Sequence, residues 1–319
     1  MSCAPMTPAG RPEGARPGFT LAELLVVLVL VGIVAGGIMS VVVKQQRFYR
    51  DAGDLIETRG QLRQAVSILP IELRAVYPRG SDIYQWSDSS IEFRSTVGSS
   101  VLCLEPALNS IILPPVSLEK GHTLSAWMQA PQVDDSVLIY DDGIDVGNAD
   151  DSWIAYGISA VATAAGLCPV SSGLTTANDL LEPAYQLTLG APLAATTRTG
   201  SAIRLFRRTR FALYRASDSR WYLGANDCME GRTPACATIQ PVSGPYQPYA
   251  APGGQSGIRF TYFDSTGTEL DPATSDRRLV ARIDIIVRGE TRAELGTPGL
   301  GEGRRTDSVS FVVGLRNRN

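Results

Sequence analysis

Leu24–Val43 reads LLVVLVLVGIVAGGIMSVVV, a run of twenty apolar or small residues without a charge. A helix of about 20 such residues spans the hydrocarbon core of a bilayer. One acidic residue, Glu23, stands directly before the run. A carboxylate at the edge of a membrane span is costly, so it marks a functional position whose partner has to be found.

Two simpler interpretations explain the apolar run alone. A secretory signal peptide has a core of about 7–15 apolar residues and a small-residue cleavage site, which Ile33–Gly36 would offer here. A plain single-span membrane anchor fits the full length of the run. Neither interpretation accounts for Glu23, or for Gly18 at the end of the polar leader.

The residues ahead of the run form a processing block, GFTLAE at positions 18–23. A glycine, then a hydrophobic residue, then a glutamate fifth after the glycine resemble the processing site of type IV prepilins and type II secretion pseudopilins. The resemblance implies that a membrane prepilin peptidase cuts between Gly18 and Phe19 and methylates the new amine of Phe19. It also implies that Glu23 neutralises the amine of a neighbouring subunit during assembly.

The resemblance implies a pilin-like α+β fold, in which a long N-terminal helix packs on an antiparallel β-sheet head. Four segments are expected from it. They are a prepilin leader at 1–18, a transmembrane helix segment at 19–43, an amphipathic continuation of the helix at 44–77 and a β-rich periplasmic or extracellular head at 78–319.

Helical periodicity continues beyond the apolar run. Apolar residues recur at steps of three, four or seven, which places them on one helix face. Pro70 removes a helical hydrogen bond and predicts a kink, and the residue before Pro78 disfavours helix, so the helix is expected to end there. The predicted stripe consists of Phe48, Ala52, Leu55, Leu62, Val66, Leu69, Leu73 and Val76.

The rest of the chain has the pattern of short strands separated by turn residues. A hairpin is predicted at Gly98–Ser100, and surface loops are predicted at Ser159–Thr199, with a short helix in Thr175–Tyr185, and at Pro241–Gly257. The absence of helical patterns between the strands favours an antiparallel sheet. The predicted strands are Ile91–Val97, Val101–Leu104, Val137–Tyr140, Trp153–Ile158, Arg210–Arg215, Trp221–Leu223, Ile258–Phe263, Leu279–Val287 and Ser308–Leu315.

Cysteine usage indicates an oxidising compartment. Of five cysteines, Cys3 lies in the leader, so removal of the leader leaves an even set of four. Their spacing does not match a zinc site, whereas disulfides persist in compartments such as the periplasm. Cys228–Cys236 would close a small loop around Met229–Ala235, and Cys103–Cys168 is the remaining pair. Four buried free thiols are the alternative.

An acidic stretch is a candidate calcium site. Ca²⁺ takes six to eight oxygen ligands, which closely spaced aspartates can supply in part. The spacing does not match an EF-hand, and a solvated turn between two strands explains the same residues. The calcium candidates are Asp141, Asp142, Asp145 and Asp150.

A second stretch interleaves basic and aromatic residues. Such a pattern can stack bases and meet phosphates, as single-strand binders do. Strand alternation explains it equally, with arginines on the wet face and aromatics in the core. The stretch comprises Arg204, Phe206, Arg207, Arg208, Arg210, Phe211, Tyr214, Arg215, Arg220, Trp221 and Tyr222.

Composition and motifs give no support for an enzyme. The formal net charge of −3 gives no general support for nucleic-acid binding, so a nucleic-acid partner is not expected. A single histidine, His122, excludes chemistry that needs two. Neither an enzyme activity nor a cofactor is expected. The resemblance implies other partners, namely other pilins or pseudopilins through the N-terminal helix, the prepilin peptidase and the inner-membrane assembly platform.

The resemblance favours a minor pilin of the PilW type, initiating filament assembly or sitting at the tip. A J-type minor pseudopilin of type II secretion is the alternative, and a membrane-tethered periplasmic binding or adhesion domain is the alternative from another class. The expected location is the inner membrane, single-pass with the head in the periplasm, and then the pilus or pseudopilus. Lys44, Arg47 and Arg50 follow the span, and the positive-inside tendency argues for the opposite orientation.

Overall fold

The computed structural model describes residues 18, 20–119, 123–145, 150–228, 236–250, 254–297 and 301–315. Its first element, α1, is a helix of 54 residues from Leu21 to Arg74 that runs through Pro70. The helix therefore ends three residues before Tyr77. One long helix and a large antiparallel sheet confirm the predicted α+β, pilin-like class.

The chain forms two compact units, Met1–Gly53 and Asp54–Asn319. In the first unit, the residues of α1 from Leu21 to Arg50 are all exposed. The second unit contains α1 from Asp54 onward and the strands.

Most of the second unit is β-structure. The strands of the described part are β1 Ile83–Trp86, β2 Ser90–Val101, β3 Leu104–Ala107, β4 Ser110–Ile112, β5 Ala126–Trp127, β6 Ser136–Asp141, β7 Ser152–Ala165, β8 Pro183–Leu189, β9 Ala202–Arg215, β10 Trp221–Cys228, β11 Gln240–Tyr246, β12 Ile258–Phe263, β13 Glu269–Leu270, β14 Arg282–Glu290, β15 Leu295–Thr297, β16 Gly301–Gly303 and β17 Thr306–Gly314.

Two long strands organise the main sheet, which joins fifteen strands of the described part. Along one edge, β9 pairs with β2; along the other it pairs first with β6 and then with β10. In the same way, β14 pairs with β17 on one edge and with β12 and β11 on the other. All of these pairings are antiparallel. Because β9 and β14 each pair with three strands, the sheet branches at these two strands.

The main hydrophobic core lies between α1 and this sheet. Leu62, Ala65, Leu69 and Leu73 are buried, and they share a core cluster with residues of β2, β9, β12, β14 and β17. Part of the predicted stripe is wrong, because Phe48 is 69% exposed and Ala65 rather than Val66 lies at the centre of the buried face. The spacing of 62, 65, 69 and 73 is that of one helix face.

Polar contacts fix the helix on the sheet. The Asp54 carboxylate accepts a hydrogen bond from the Ala293 N–H at 3.0 Å, and Gln61 Oε1 accepts one from the Gly244 N–H at 3.1 Å. At Gly289 of β14 a Cβ would lie 2.7 Å from Thr58 Cγ2, so glycine is required for this close approach. Helix and strand backbones thus meet more closely than side chains would allow.

A second core fills the other half of the head, under β4, β6, β7 and β8. On the core-facing side of β9, Ile203 and Leu205 belong to the second core, and Phe211 and Leu213 to the main one. Between them lies Arg207, whose guanidinium forms a bidentate ion pair with Asp135 at 2.8 and 2.9 Å. Both side chains are buried, so a buried ion pair lies between the two hydrophobic cores.

The predicted hairpin at Gly98–Ser100 is wrong. Strand β2 continues through these residues, and its pairing with β9 shifts register between Thr96 and Gly98. Such a bulge accommodates an extra residue without ending the strand. The flanking turn residues therefore marked an irregularity inside one strand.

The two predicted loops are also partly wrong. Ser159–Thr199 contains the end of β7 and all of β8, and Pro241–Gly257 contains most of β11. The helix expected in Thr175–Tyr185 is reduced to a single 3₁₀ turn, Asp179–Leu181. Pairing to neighbouring strands supplies the stability that these Ala-, Thr- and Pro-rich sequences lack locally.

We expect Gly289→Ala to destabilise the head by about 1–3 kcal/mol, because the new methyl group overpacks the contact with Thr58. Adding Thr58→Ser, which removes Cγ2 and keeps the hydroxyl hydrogen bond to Asp54, should recover most of the loss. Thermal unfolding of the detergent-solubilised protein measures both effects. Gly157→Ala is the matched control, since its Cβ meets nothing within 4 Å. An equal loss in the double variant would contradict the proposed contact.

Candidate processing and assembly site

The start of α1 is closed by a reciprocal pair of hydrogen bonds between Thr20 and Glu23. Thr20 Oγ1 accepts from the Glu23 N–H at 3.3 Å, and Glu23 Oε2 accepts from the Thr20 N–H at 2.9 Å. The Thr20 hydroxyl also donates to Oε2 at 3.0 Å. This is the capping box T-x-x-E, in which two otherwise unsatisfied N–H groups find partners. The sequence contains that signature, and it would have identified Thr20.

The Glu23 carboxylate keeps capacity for a further partner. Its hydrogen bonds within the described residues all reach Oε2, and the side chain is exposed. A carboxylate oxygen accepts more than one hydrogen bond. The arrangement can therefore hold a cation at Oε1 while the cap stays closed.

Of the two residues at the predicted cleavage point, the structure describes Gly18 but not Phe19. Gly18 is exposed, and a Cβ on it would meet nothing within 4 Å. Phe19 and the leader up to position 17 lie outside the described residues. Among the described residues, therefore, no contact requires glycine at position 18.

Within the described part, α1 is the helix that is long and apolar enough to cross a membrane. Its apolar run, Leu24–Val43, would reach about 30 Å at 1.5 Å per residue, which matches the roughly 30 Å of a bilayer core. The side chains are exposed along the whole segment. Water is a poor solvent for such a surface, so lipid or other apolar helices must cover it.

The four cysteines beyond the membrane segment form two disulfides, Cys103–Cys168 and Cys228–Cys236. These are the two pairs suggested by the sequence. The first links the loop before β3 to the turn after β7, beside Ile112 of β4. The second joins the end of β10 to the residue that pairs with it. The loop predicted between them, Met229–Ala235, lies outside the described residues.

One acidic side chain lies beside the second disulfide. The Glu92 carboxylate comes within 4.8 Å of both sulfur atoms. The sulfurs are bonded to each other, and Glu92 forms an ion pair with Arg208. The disulfide and the ion pair therefore already engage the atoms that these three residues would offer to a metal ion.

The acidic stretch follows β6 and forms part of its connection to β7. Asp150 Oδ2 accepts hydrogen bonds from the N–H groups of Asp145 and Ile144, and these bonds lower the pKa of Asp150. Asp141 is buried and accepts from the Thr196 hydroxyl at 2.7 Å. Within the described residues, no three carboxylates of this stretch approach one another within 4.8 Å. Calcium binding by Asp141, Asp142, Asp145 and Asp150 stays a prediction.

The basic and aromatic stretch is divided between the two faces of the sheet. Arg207 is buried with Asp135 on the core side, whereas Arg208 pairs with Glu92 on the outer side. Phe206 and Phe211 are buried. A continuous row of free arginines and exposed aromatic rings is therefore absent from this part of the described chain, as strand alternation predicts.

Comparison with known proteins identifies the N-terminal block. A family model described as the prokaryotic N-terminal methylation motif matches residues 15–39. The comparison with curated proteins gives no match, and neither does the comparison with solved structures. The matched residues contain the predicted cleavage site, the capping box and most of the apolar run.

We expect the two disulfides to contribute unequally to stability. Their sequence separations are 65 and 8 residues, and the chain-entropy relation converts these to about 4 and about 2.5 kcal/mol. Cys103→Ala with Cys168→Ala should therefore lower the melting temperature more than Cys228→Ala with Cys236→Ala. Unfolding of both double variants, each compared with the oxidised and the reduced wild type, measures this. A larger loss from the short loop would contradict the expectation.

Proposed function

The methylation motif confirms the resemblance to type IV prepilins, and on that premise we propose that this protein is a minor pilin. Prepilin peptidase cuts it after Gly18 and methylates the amine of Phe19. The mature subunit then enters a type IV pilus-like filament, where it initiates assembly or sits at the tip. The motif family is structural rather than enzymatic, and we propose no catalytic role.

The observation that carries this proposal is a fully exposed apolar helix segment with an acidic side chain in its first turn. Lipid alone covers the apolar residues, but it leaves the Glu23 carboxylate without a counter-charge. A positive amine at the N-terminus of a neighbouring subunit supplies that charge, since pairing reduces the cost of holding each group in hydrocarbon. The exposed Oε1 atom is where we expect the amine to bind.

The head supports a low-abundance role. Residues 78–319 form a large β-rich part, built around two hydrophobic cores. A subunit that repeats along a whole filament has to pack its head against identical neighbours, which favours a small head. A J-type pseudopilin of type II secretion would share both the motif and the large head. Neighbouring genes for a pilus assembly ATPase or for a secretion-system secretin would distinguish the two.

We propose that the head is periplasmic before assembly. Both disulfides lie beyond the apolar segment, and disulfides persist in oxidising compartments. Lys44, Arg47 and Arg50 favour the opposite orientation by the positive-inside tendency. The positive-inside tendency has exceptions, whereas disulfides are rare in the reducing cytosol. We therefore propose the orientation that places both disulfides in the periplasm.

Processing is the first test. We expect the mature protein to begin at Phe19 with one added methyl group, and Gly18→Ala to block cleavage by crowding the peptidase. Mass spectrometry of the N-terminal peptide from membranes measures both. Because a Cβ at position 18 meets no described residue within 4 Å, the variant should fold and insert normally, which its membrane level verifies. An intact Met1 terminus in wild type, or a terminus near Gly36, would contradict the proposal.

Assembly is the second test. Glu23→Val removes a charge costing roughly 2.5–3.5 kcal/mol at a helix centre, and less near an interface, so processing and insertion should persist. Incorporation into sheared filaments should fall, because the neighbour's amine then lacks its partner. Glu23→Gln is the matched control for shape and for the capping hydrogen bonds, and it should fail in the same way. Equal incorporation of Glu23→Val and wild type would instead favour a tethered domain that never assembles.

A further inference from the structure

A cleft of about 390 Å³ opens on the outer face of the sheet, on the side opposite the two cores. This volume falls within the range of small-molecule sites, roughly 300–1,000 Å³. Residues of β6, β7 and β9 form the floor of the cleft, and residues of the segment between α1 and β1, with Arg94 of β2, form its wall.

The floor of the cleft is built on three paired strands. Ala155 of β7, Leu138 of β6 and Arg204 of β9 lie side by side in register. Trp153 lies two residues from Ala155 along β7, and Phe206 lies two residues from Arg204 along β9. Side chains on paired strands are held more precisely than side chains on loops. The floor therefore presents an indole, an aliphatic surface and a guanidinium in fixed positions.

The wall of the cleft comes from the segment between α1 and β1. The Asp82 carboxylate accepts hydrogen bonds from the Tyr77 N–H at 2.9 Å and from Arg94 at 3.2 Å. Arg94 also donates to the Tyr84 hydroxyl at 3.0 Å and to the Gly80 carbonyl at 3.4 Å. Asp82 and Arg94 neutralise each other, so the wall offers acceptors without a net charge.

Arg204 differs from the other arginine of the cleft. Within the described part of the chain, no hydrogen bond or ion pair reaches its guanidinium, which lies over the Phe206 ring at 5.0 Å. Stacking on a ring leaves the N–H edge of a guanidinium available, and that edge fits a carboxylate through two parallel hydrogen bonds. The charge of Arg204 acts through space on the Asp82 carboxylate, so Asp82, Arg94 and Arg204 together leave the cleft with one net positive charge.

The other distinctive group is an exposed indole. Trp153 is 44% exposed, and its ring is set against Tyr140 with centroids 5.4 Å apart. The tyrosine fixes the indole, and the exposed part of the indole offers an apolar surface to a ligand. An exposed indole lies beside a guanidinium that makes no hydrogen bond within the described residues and beside a polar wall. This matches the usual description of a ligand site, which is mostly apolar with few convergent polar groups.

We propose that this cleft binds an acidic sugar, with the sugar ring on Trp153 and its carboxylate on Arg204. The axial C–H groups of a sugar ring pack on an indole, and a uronic acid places its carboxylate at the edge of that ring. Sugar hydroxyls can donate hydrogen bonds, and the Asp82 carboxylate and the Gly80 carbonyl on the wall are acceptors for them. Each of these oxygens already accepts from this chain and has a further lone pair. A sugar hydroxyl can use that lone pair and an aromatic acid without hydroxyl groups cannot, so we favour the sugar. The inference concerns the head alone and does not depend on filament assembly.

The experiment uses the full-length protein in detergent micelles, with galacturonic acid, its methyl ester and galactose as probes. Saturation-transfer NMR and calorimetry measure binding. We expect the acid to bind roughly tenfold or more tightly than the ester, because a charge-assisted pair with Arg204 is lost in the ester. Arg204→Met should weaken binding of the acid to the affinity of the ester, and should leave the affinity for the ester unchanged. Trp153→Ala should weaken both.

Two controls match these changes. Arg74→Met removes an exposed arginine from α1, and Leu181→Ala removes an exposed apolar side chain elsewhere on the head; neither should alter binding. Tighter binding of polygalacturonate per residue would assign the site to a surface polysaccharide, and equal binding would assign it to free sugar acids. The proposal is overturned if the acid does not bind, if Arg204→Met binds acid and ester as wild type does, or if a mononucleotide binds more tightly than the acid.

Discussion

The burial of one face of α1 under the sheet is the interaction on which the head depends. Leu69 and Leu73 are fully buried against strands from distant parts of the sequence. Deletion of such a side chain typically costs 2–5 kcal/mol, a large part of the stability of a domain. The close approach at Gly289 shows how tightly the two layers meet. Since β14 carries this contact and pairs with three other strands, the position of the helix fixes the sheet around it.

The same helix obeys a different constraint in the first unit. From Leu24 to Val43 the sequence is uncharged on all faces of the helix, and all of these residues are exposed. An amphipathic stripe is typical of a helix with one buried side, and a helix that is apolar all round needs an apolar solvent. The change in pattern between the two units therefore reflects a change of surroundings, from lipid or other helices to the sheet of the head.

The sequence predicted the features that depend on local chemistry. The helix, its apolar span and most late strands follow from periodicity, and β12 has the predicted bounds, Ile258–Phe263. The predictions of a turn at Gly98–Ser100 and of a loop from Ser159 were wrong. Pairing with distant strands determines the structure of both segments, and local propensity contains no information on that pairing. The ion pair of Arg207 with Asp135 was missed for the same reason, since 72 residues separate the two. At the N-terminus, the capping box was visible in the sequence, whereas the cleft on the sheet was not.

The capping box gives the proposed assembly contact its physical logic. In a single subunit, the Thr20 hydroxyl and N–H both donate to Glu23 Oε2, which offsets part of the cost of a carboxylate at the membrane edge. Under the proposed function, these bonds lower the cost of the carboxylate in a subunit that has not yet assembled. Because the cap uses Oε2, a neighbour's amine can add at Oε1 without opening the helix end. The contact that joins subunits and the contact that starts the helix then share one side chain and need not compete for the same oxygen.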